Sequence, residues 1–410
     1  MRSATMCGAV LLLAACSRAP SPPVYRLEML DAPAGAGSLA PRLAAHPQGG
    51  FVLSWLEPVA GRGHALRWAR HDTSGWGTVG TVATGEDWFV NWADTPSVYA
   101  FDDVLVAHWL EKSAASTYAY DIRLAISRDD GASWSEPLSP HHDGTPTEHG
   151  FVSMFPLAEG FALVWLDGRE TTGGGHEAHG GGGAGGMTLR AARFDREGRQ
   201  LDEVLLDDLT CDCCPTDVVL STDRAFVFYR DRTAEEIRDI QFVAFDGSGW
   251  SSPQRVSADG WHIPACPVNG PAAAAAGEKL AVAWFTAAGA MPRLRLAWAD
   301  VRTLQFDVTS SRLDDGHPLG RVELVPDGAD AVLAFWYESV GESGAELKVR
   351  RVAQNGESSP AHTLAAVSAA RASGFPQTVR VGEAVYVAWT DVAPDGTKRV
   401  RVARLVAGEA

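Results

Sequence analysis

The chain has 410 residues, of which 46% are hydrophobic and 21% charged, so it can bury the core of a large globular domain. Its formal net charge is −16 at pH 7, which argues against nucleic acid as a partner because phosphate binding needs clustered Lys and Arg. Any anionic ligand would have to be held by a local group of arginines against this overall charge.

The N-terminus has the features of a bacterial export signal. One positive residue, Arg2, precedes the apolar run Ala9–Leu13, which is too short to span a bilayer permanently. The sequence Leu13-Ala14-Ala15-Cys16 resembles a lipobox, in which Cys16 becomes the lipidated first residue. Because Ser17 and not Asp follows, we expect a lipid anchor in the outer membrane of the cell envelope. The expected divisions are a signal peptide (1–15), a lipidated cysteine with a Pro- and Ser-rich tether (16–23) and a single domain (24–410).

An apolar strand that ends in an aromatic residue recurs along the mature chain. The closing aromatics are Trp55, Trp109, Trp165, Tyr229, Trp284, Trp336 and Trp389, at spacings of 54, 56, 64, 55, 52 and 53 positions. Period-two alternation, Gly and Asp turns and the lack of a helical stripe indicate an all-β protein. Four short strands per repeat arranged around an axis predict a β-propeller.

The number of blades depends on how the ring closes. The last repeat ends after its third strand, near Val406, and the segment Val24–Met29 can supply the missing strand. The sequence therefore predicts seven four-stranded blades closed by the N-terminal strand, with six blades as the alternative.

The segment Ser127–Trp134 is a turn with its own internal contacts. It reads S-x-D-x-G-x-x-W: Asp129 can accept backbone N–H groups of the turn, Gly131 can take a positive φ, and Trp134 can pack over the loop. These residues resemble the Asp-box of the sialidase (BNR-repeat) superfamily. The resemblance implies a propeller related to exo-α-sialidases, although those enzymes have six blades.

In a propeller, the crossovers between blades and the loops between the second and third strands of each blade lie on the same face. Here these segments are long and rich in polar residues, so we expect a loop-borne site on that face, mainly in blades two to five. Two crossovers also bring cysteines together, because Cys211, Cys213 and Cys214 begin blade four and Cys266 begins blade five. Export to an oxidising compartment favours two disulfides, although Cys213 and Cys214 cannot both point at Cys266. One alternative is a copper or zinc site that these thiolates and His262 would form, and another is a free or redox-active thiol.

Arginines are the second feature of this face. Arg123, Arg169, Arg230 and Arg238 lie in or beside its loops, and guanidinium groups can bind a carboxylate through two hydrogen bonds. The sialidase resemblance implies an Asp acid/base and a Tyr nucleophile activated by Glu. Carried to this chain, the acid/base role falls to Asp94, the nucleophile role to Tyr120 or Tyr229, and the activating role to Glu148 or Glu236. The arginine motif by which these enzymes are usually recognised is missing, since Arg42 stands in Pro41-Arg42-Leu43.

Histidines give weaker signals. The Gly-rich insertion at 173–186 carries His176 and His179, with Met187 after it, and these could bind copper; at such a glycine density a surface loop is the simpler interpretation. The pair His141-His142 is also interpreted as part of a solvated loop.

Two functions follow from these patterns. The first is a lipid-anchored, monomeric propeller that binds a glycan or small anion at the arginines and, if it is an enzyme, hydrolyses a glycoside. The alternative is a propeller that is not an enzyme and binds a metal or a partner through the cysteine cluster.

Overall fold

The structure is a computed structural model that describes residues 24–171, 185–307 and 309–408. The predicted signal peptide, the lipidated Cys16, the tether and the pair His176/His179 lie outside these residues. Within the described ranges, no helix is long and apolar enough to cross a membrane.

The described strands form seven sheets, and each sheet is one blade of a ring. Blade one contains β2 (Leu39–Ala45), β3 (Phe51–Pro58), β4 (His64–Asp72), β5 (Gly75–Trp76) and β6 (Gly80–Gly85). Blade two contains β7 (Ser97–Phe101), β8 (Val104–Lys112) and β9 (Tyr120–Ser127). Blade three contains β10 (His149–Leu157), β11 (Gly160–Asp167), β12 (Met187–Asp195) and β13 (Gln200–Thr210). Blade four contains β14 (Asp217–Ser221), β15 (Arg224–Arg230), β16 (Ile240–Phe245) and β17 (Gln254–Arg255).

Blade five contains β18 (Ala272–Ala276), β19 (Lys279–Thr286), β20 (Arg293–Asp300) and β21 (Ser311–Arg312). Blade six contains β22 (Pro318–Pro326), β23 (Ala331–Val340), β24 (Gly344–Ala353) and β25 (His362–Ser368). Blade seven contains β26 (Gln377–Val381), β27 (Ala384–Val392), β28 (Lys398–Gly408) and β1 (Val24–Leu30). Short 3-10 helices lie at Ala288–Ala290 and Arg371–Ser373.

The ring closes as the sequence predicts. Strand β1 pairs antiparallel with β28, from Val24 opposite Gly408 to Leu30 opposite Val402. The N-terminal strand of the domain therefore supplies the outer strand of the last blade, and the seven-blade prediction is confirmed. Blade two departs from the four-strand pattern, because a single bridge between Leu124 and Leu138 takes the place of its outer strand.

Apolar side chains pack between neighbouring blades. Each of the seven hydrophobic clusters found among the described residues joins two adjacent blades: for example, Phe155 of β10 contacts Phe245 of β16, with ring centroids 6.3 Å apart. Each blade therefore buries both of its faces against its neighbours, which explains why its middle strands are nearly continuous apolar runs. A blade has no core of its own, so the fold depends on closing the ring.

The turn at Ser127–Trp134 has the contacts that its residues predict. The Oδ1 of Asp129 accepts the N–H of Ser133 at 2.8 Å, and the Oγ of Ser127 accepts the N–H of Gly131 at 2.8 Å. Gly131 has a φ of 79°, and a Cβ there would lie 1.9 Å from the Trp68 ring of blade one. The Trp134 ring meets Trp68 edge-on, so the turn attaches blade two to blade one.

Candidate functional site

The loops of one face meet as the propeller geometry requires. The N–H of Gly168, after β11, bonds to the carbonyl of Glu148 in the crossover before β10, at 2.8 Å. In the same way the N–H of Cys211 bonds to the carbonyl of Arg230 at 3.0 Å. Crossovers and the loops between second and third strands therefore form one surface, and the predicted site residues lie along it.

Asp94, Tyr120 and Glu148 come together from three separate segments. The Tyr120 hydroxyl lies 2.8 Å from Oδ2 of Asp94 and 2.7 Å from Oε1 of Glu148. Asp94 is fixed by the N–H of Phe151, which bonds to its Oδ1 at 2.8 Å. Of the three residues that the sialidase resemblance selected, Tyr120 is thus within hydrogen-bond distance of both carboxyl groups.

This group is closed to solvent. Tyr120 is 0% exposed, Asp94 1% and Glu148 4%, and the Phe89 ring stacks on Tyr120 with centroids 4.0 Å apart. Even a Cβ on Gly150 would come within 1.9 Å of Asp94. Burial raises the pKa of Asp94 to about 7, although the Phe151 N–H and the Tyr120 hydroxyl act in the opposite direction. Burial and the two carboxylates also raise the pKa of Tyr120 well above its usual value.

Tyr229, the other predicted nucleophile, lies in blade four and belongs to a different contact. Its hydroxyl bonds to Oδ2 of Asp207 at 2.5 Å, and the residue is fully buried. Burial raises its pKa, and the charge of Asp207 adds to the effect.

Each of the four predicted ligand-binding arginines contacts groups of the chain itself. Arg123 is half-exposed and pairs with Glu111 at 3.0 Å. Arg169 holds Asp167 through two hydrogen bonds of 2.8 and 2.7 Å and also meets Glu203 at 2.8 Å.

Arg230 is 2% exposed and donates to the carbonyls of Asn269, Arg238 and Phe285 at 2.9, 2.7 and 2.7 Å. Arg238 is 1% exposed and donates to Cys211 Sγ at 3.3 Å and to Glu236 at 2.9 Å.

The four cysteines of the domain meet beneath these arginines. Ligand atoms of Cys211, Cys213 and Cys214 all lie within 4.8 Å of one another, and Cys213 also interacts with Cys266. The Sγ of Cys211 is 2.8 Å from that of Cys214 and 4.0 Å from that of Cys213, both longer than a disulfide bond of about 2.05 Å. Neither of these two pairs is therefore joined by a disulfide in the structure, and the two disulfides that the sequence favours are not shown.

The charges around the thiols favour one thiolate. Burial raises the pKa of Cys211, but hydrogen bonds from the neighbouring thiols and the charges of Arg238 and Arg230 outweigh it and lower that pKa well below its usual value. Burial raises the pKa of Cys213 and of Cys214. Cys211 is therefore the first of these cysteines to ionise.

His262, proposed from the sequence as a further ligand, is exposed, and its backbone pairs with Ile237. Among the described residues, the cysteine group with ligand atoms within 4.8 Å of one another does not include it.

A second polar cluster was not predicted. The rings of His141 and His149 stack with centroids 3.8 Å apart, and three carboxylates surround them, from Asp121, Asp143 and Asp167. His141 is 5% exposed, so its interpretation as part of a solvated loop is wrong. A usable signal was present: His141, Asp143 and His149 share one crossover, and Asp167 ends the strand that carries Trp165.

The ionisation of this cluster reflects its carboxylates. Burial lowers the pKa of His149, but Asp143 and Asp167 outweigh it, so the pKa is raised overall. Burial and the charge of His149 lower the pKa of His141 to about 3.

The propeller axis holds a cavity of about 210 Å³. Arg42, Asp217, Glu323 and Gln377 line it, and Arg42 donates to the Tyr99 hydroxyl at 3.1 Å. Burial raises the pKa of Asp217 to about 6 and that of Glu323 to about 8. The arginine of Pro41-Arg42-Leu43 thus faces two carboxyl groups of the chain across the axis.

Comparison with known proteins identifies the fold. No protein-family model and no curated protein matches the chain. A protein of unknown function from Dyadobacter fermentans superposes with a TM-score of 0.50 at 11% identity, covering 94% of this chain and 98% of that chain. An α-L-arabinanase from Penicillium chrysogenum gives 0.49 at 12% identity, covering 93% and 97%. A neuraminidase-like protein of the bat virus A/flat-faced bat/Peru/033/2010 gives 0.49 at 9% identity, covering 95% of each chain.

The chain has a seven-bladed β-propeller fold, as predicted, and the Dyadobacter fermentans protein shares a similar fold. At these identities the likeness concerns the fold alone.

Proposed function

We propose that this protein is a lipid-anchored envelope propeller that binds a soft metal ion, copper(I) or zinc, through Cys211, Cys213, Cys214 and Cys266. The observation that carries the proposal is the convergence of three buried thiols within 4.8 Å, with the fourth beside Cys213. Sulfur ligands select soft or borderline ions. The Sγ–Sγ distances of 2.8 Å for Cys211–Cys214 and 4.0 Å for Cys211–Cys213 lie on either side of about 3.8 Å, the distance expected between two sulfurs of a tetrahedral zinc site.

The charges of the neighbouring residues support this assignment. A buried group of thiolates needs positive charge close by, and Arg230 and Arg238 supply it. The guanidinium of Arg230 donates to three carbonyls, which carry no net charge and so do not neutralise it. Its positive charge therefore acts on Cys211 and helps to lower the pKa of that thiol. A metal ion would add the remaining positive charge and hold the other thiols as thiolates.

Metal analysis combined with a thiol count tests the proposal. The full chain is exported to a bacterial envelope, purified without oxidants and analysed for copper, zinc and accessible thiols after unfolding. We expect about one cysteine-dependent equivalent of copper or zinc per chain, which is the equivalent lost in Cys213→Ser and in Cys266→Ser. His262→Ala is the matched control, because His262 is exposed, and this variant should keep its metal.

Two results would contradict the assignment. Metal-free protein with all four thiols blocked would show paired disulfides, Cys211 with Cys214 and Cys213 with Cys266. A metal content of both cysteine variants equal to that of wild type would show that the cysteines hold no metal.

The membrane anchor is a separate part of the proposal, supported by the sequence around Cys16 alone. Mass spectrometry of the native chain should find a lipid on Cys16, and Cys16→Ser should release the protein from the membrane fraction. An unmodified, membrane-free wild-type chain would disprove the anchor without affecting the metal site.

Glycoside hydrolysis is the second candidate function, because the Tyr120 hydroxyl lies within hydrogen-bond distance of both Asp94 and Glu148. A carboxyl group with a pKa near 7 suits an acid/base, and a Tyr beside Glu suits the nucleophile of the sialidase resemblance. The test is release of the aryl group from aryl sialosides by wild type, Tyr120→Phe and Tyr229→Phe. Activity that survives Tyr120→Phe, or no activity in folded wild type, would reject this site as catalytic.

A further inference from the structure

We propose that His149, Asp143 and Asp167 form a second metal site, for a divalent cation such as zinc or manganese, that is independent of the cysteines. The three residues lie where the crossover before blade three meets the end of β11. Their ligand atoms are all within 4.8 Å of one another, and His149 and Asp167 are 0% exposed.

The orientation of His149 selects the nitrogen that would bind the ion. Its Nδ1 lies 3.2 Å from the carbonyl oxygen of Tyr120, which can only accept, so Nδ1 carries the hydrogen. The free lone pair is then on Nε2, and a neighbour that fixes the opposite ring nitrogen is the usual arrangement of a metal-binding histidine. This orientation comes from the backbone of β9 and does not depend on an ion.

The Nε2 of His149 faces two carboxylate oxygens and no donor. It lies 3.3 Å from Oδ2 of Asp143 and 3.7 Å from Oδ1 of Asp167. By strict hydrogen-bond geometry this nitrogen has no partner among the described residues, and Oδ2 of Asp143 has only the longer contacts of 3.3 Å with His149 Nε2 and His141 Nδ1. A lone pair directed at carboxylates is stabilised by a cation between them, either a proton or a metal ion, and these separations match the edge of about 3.4 Å between ligands bonded at about 2.1 Å to a tetrahedral ion.

Neighbouring groups hold the carboxylates in place. The N–H of Thr145 bonds to Oδ1 of Asp143 at 2.9 Å and leaves Oδ2 free to turn towards His149. His141 accepts the N–H of Ile122 on Nε2, so its Nδ1 carries the hydrogen and donates towards Asp143 at 3.3 Å. Arg169 clamps Asp167 and is 3.6 Å from Asp143.

The charge of the surroundings fits a divalent ion. Among the described residues, which leave out 172–184, the acidic groups are Asp121, Asp143, Asp167 and Glu203, and the basic groups paired with them are Arg169 and Arg190. Four negative and two positive charges leave a net charge of −2 around a neutral His149. One divalent cation would balance it. One imidazole and two carboxylates are ligands for zinc, manganese or ferrous iron, whereas the cysteines select softer ions.

Manganese is the probe that separates this site from the cysteines, because thiolates bind it poorly. The purified full chain is treated with a chelator and titrated with Mn²⁺, and electron paramagnetic resonance counts the ion that remains free. We expect about one bound Mn²⁺ per chain, displaced by zinc. Cys213→Ser should leave this binding unchanged, so failure of the thiolate proposal and failure of this one give different results.

Variants identify the ligands. His149→Gln should abolish Mn²⁺ binding, and His141→Phe, which keeps the ring stacking, should weaken it roughly tenfold to hundredfold. His142→Ala is the matched control, since His142 is exposed on the same crossover and should bind as wild type does. If His149→Gln does not fold, Asp143→Asn gives the same readout.

Two outcomes overturn the proposal. The first is a folded wild type that binds no Mn²⁺ and no zinc beyond the equivalent held by the cysteines. This result would mean that a proton on His149 is the only cation between the imidazole and the carboxylates. Unchanged binding in a folded His149→Gln or Asp143→Asn would place the ion elsewhere.

Discussion

Asp94→Asn tests whether the buried Asp94–Tyr120–Glu148 group holds a proton on Asp94. In the folded protein burial raises the pKa of Asp94 to about 7, whereas an Asp of the unfolded chain has a pKa of about 3.9. Between these values the folded state binds a proton that the unfolded state has lost. The free energy of unfolding therefore falls as the pH rises from about 4 to about 7, and this contribution is constant above that range.

The magnitude follows from the difference of about 3 pKa units, which corresponds to at most about 4 kcal/mol. Asparagine mimics the protonated side chain, because its carbonyl oxygen can still accept the Phe151 N–H and its amide can donate to Tyr120. Tyr120 would continue to donate to Glu148. We therefore expect Asp94→Asn to be close to wild type in stability at about pH 5 and more stable than wild type by roughly 2–4 kcal/mol at about pH 8.

Urea unfolding followed by tryptophan fluorescence at several pH values measures this difference. Asp103→Asn is the control for the loss of one negative charge, since its side chain is 77% exposed. A stability difference between Asp94→Asn and wild type that does not change with pH would refute the reasoning. So would a variant that loses more stability at about pH 8 than at about pH 5.

Three further outcomes are expected from the same unfolding assay. Arg230→Ala should lower the free energy of unfolding by roughly 3–5 kcal/mol, because three carbonyls lose a buried charged donor. Arg123→Ala, which breaks the half-exposed pair with Glu111, should lower it by less than about 1 kcal/mol. Equal losses would contradict the structural role of Arg230. Gly131→Ala should cost about 1–3 kcal/mol more than Gly144→Ala, since both have positive φ but only Gly131 would bring a Cβ against Trp68. Burial raises the pKa of Glu323 to about 8, so Glu323→Gln should gain stability relative to wild type as the pH rises towards about 9. A loss of stability there would show that the axial cavity needs the carboxylate charge.

The ring could be predicted from the sequence because its cause is repeated along the chain. Seven apolar strands at a nearly constant spacing need neighbours on both sides, and the missing strand after Val406 left one place for β1. The meeting of Asp94, Tyr120 and Glu148 was also predictable, since propeller geometry places crossovers and loops on one face. Their burial was not, because it depends on Phe89 and Gly150, whose packing no motif records.

The His149 cluster was not predicted from the sequence, for a related reason. Its ligands come from two places in the chain, the crossover with Asp143 and His149 and the end of β11. Asp167 is fixed by the indole N–H of Trp165, which bonds to its Oδ2 at 2.8 Å. The same Trp-x-acid pattern occurs at Trp55-Glu57 and Trp336-Glu338, where the indole also donates to the acid. A pattern repeated between blades indicates a structural acid, so only the three-dimensional position of His149 distinguishes Asp167 from its counterparts.

The arginines show how partners decide what a charged residue can do. From sequence, a group of arginines on an acidic protein is most readily explained by an anionic ligand. In the structure the chain supplies the anions itself: Asp167 and Glu203 for Arg169, and the Cys211 thiol, of lowered pKa, for Arg238 and Arg230. The two clusters on this face therefore have opposite requirements. Around the cysteines, positive charge stabilises sulfur anions, and around His149 the described carboxylates outnumber the arginines, which is why we propose metal cations in two places on this face, held by different ligands.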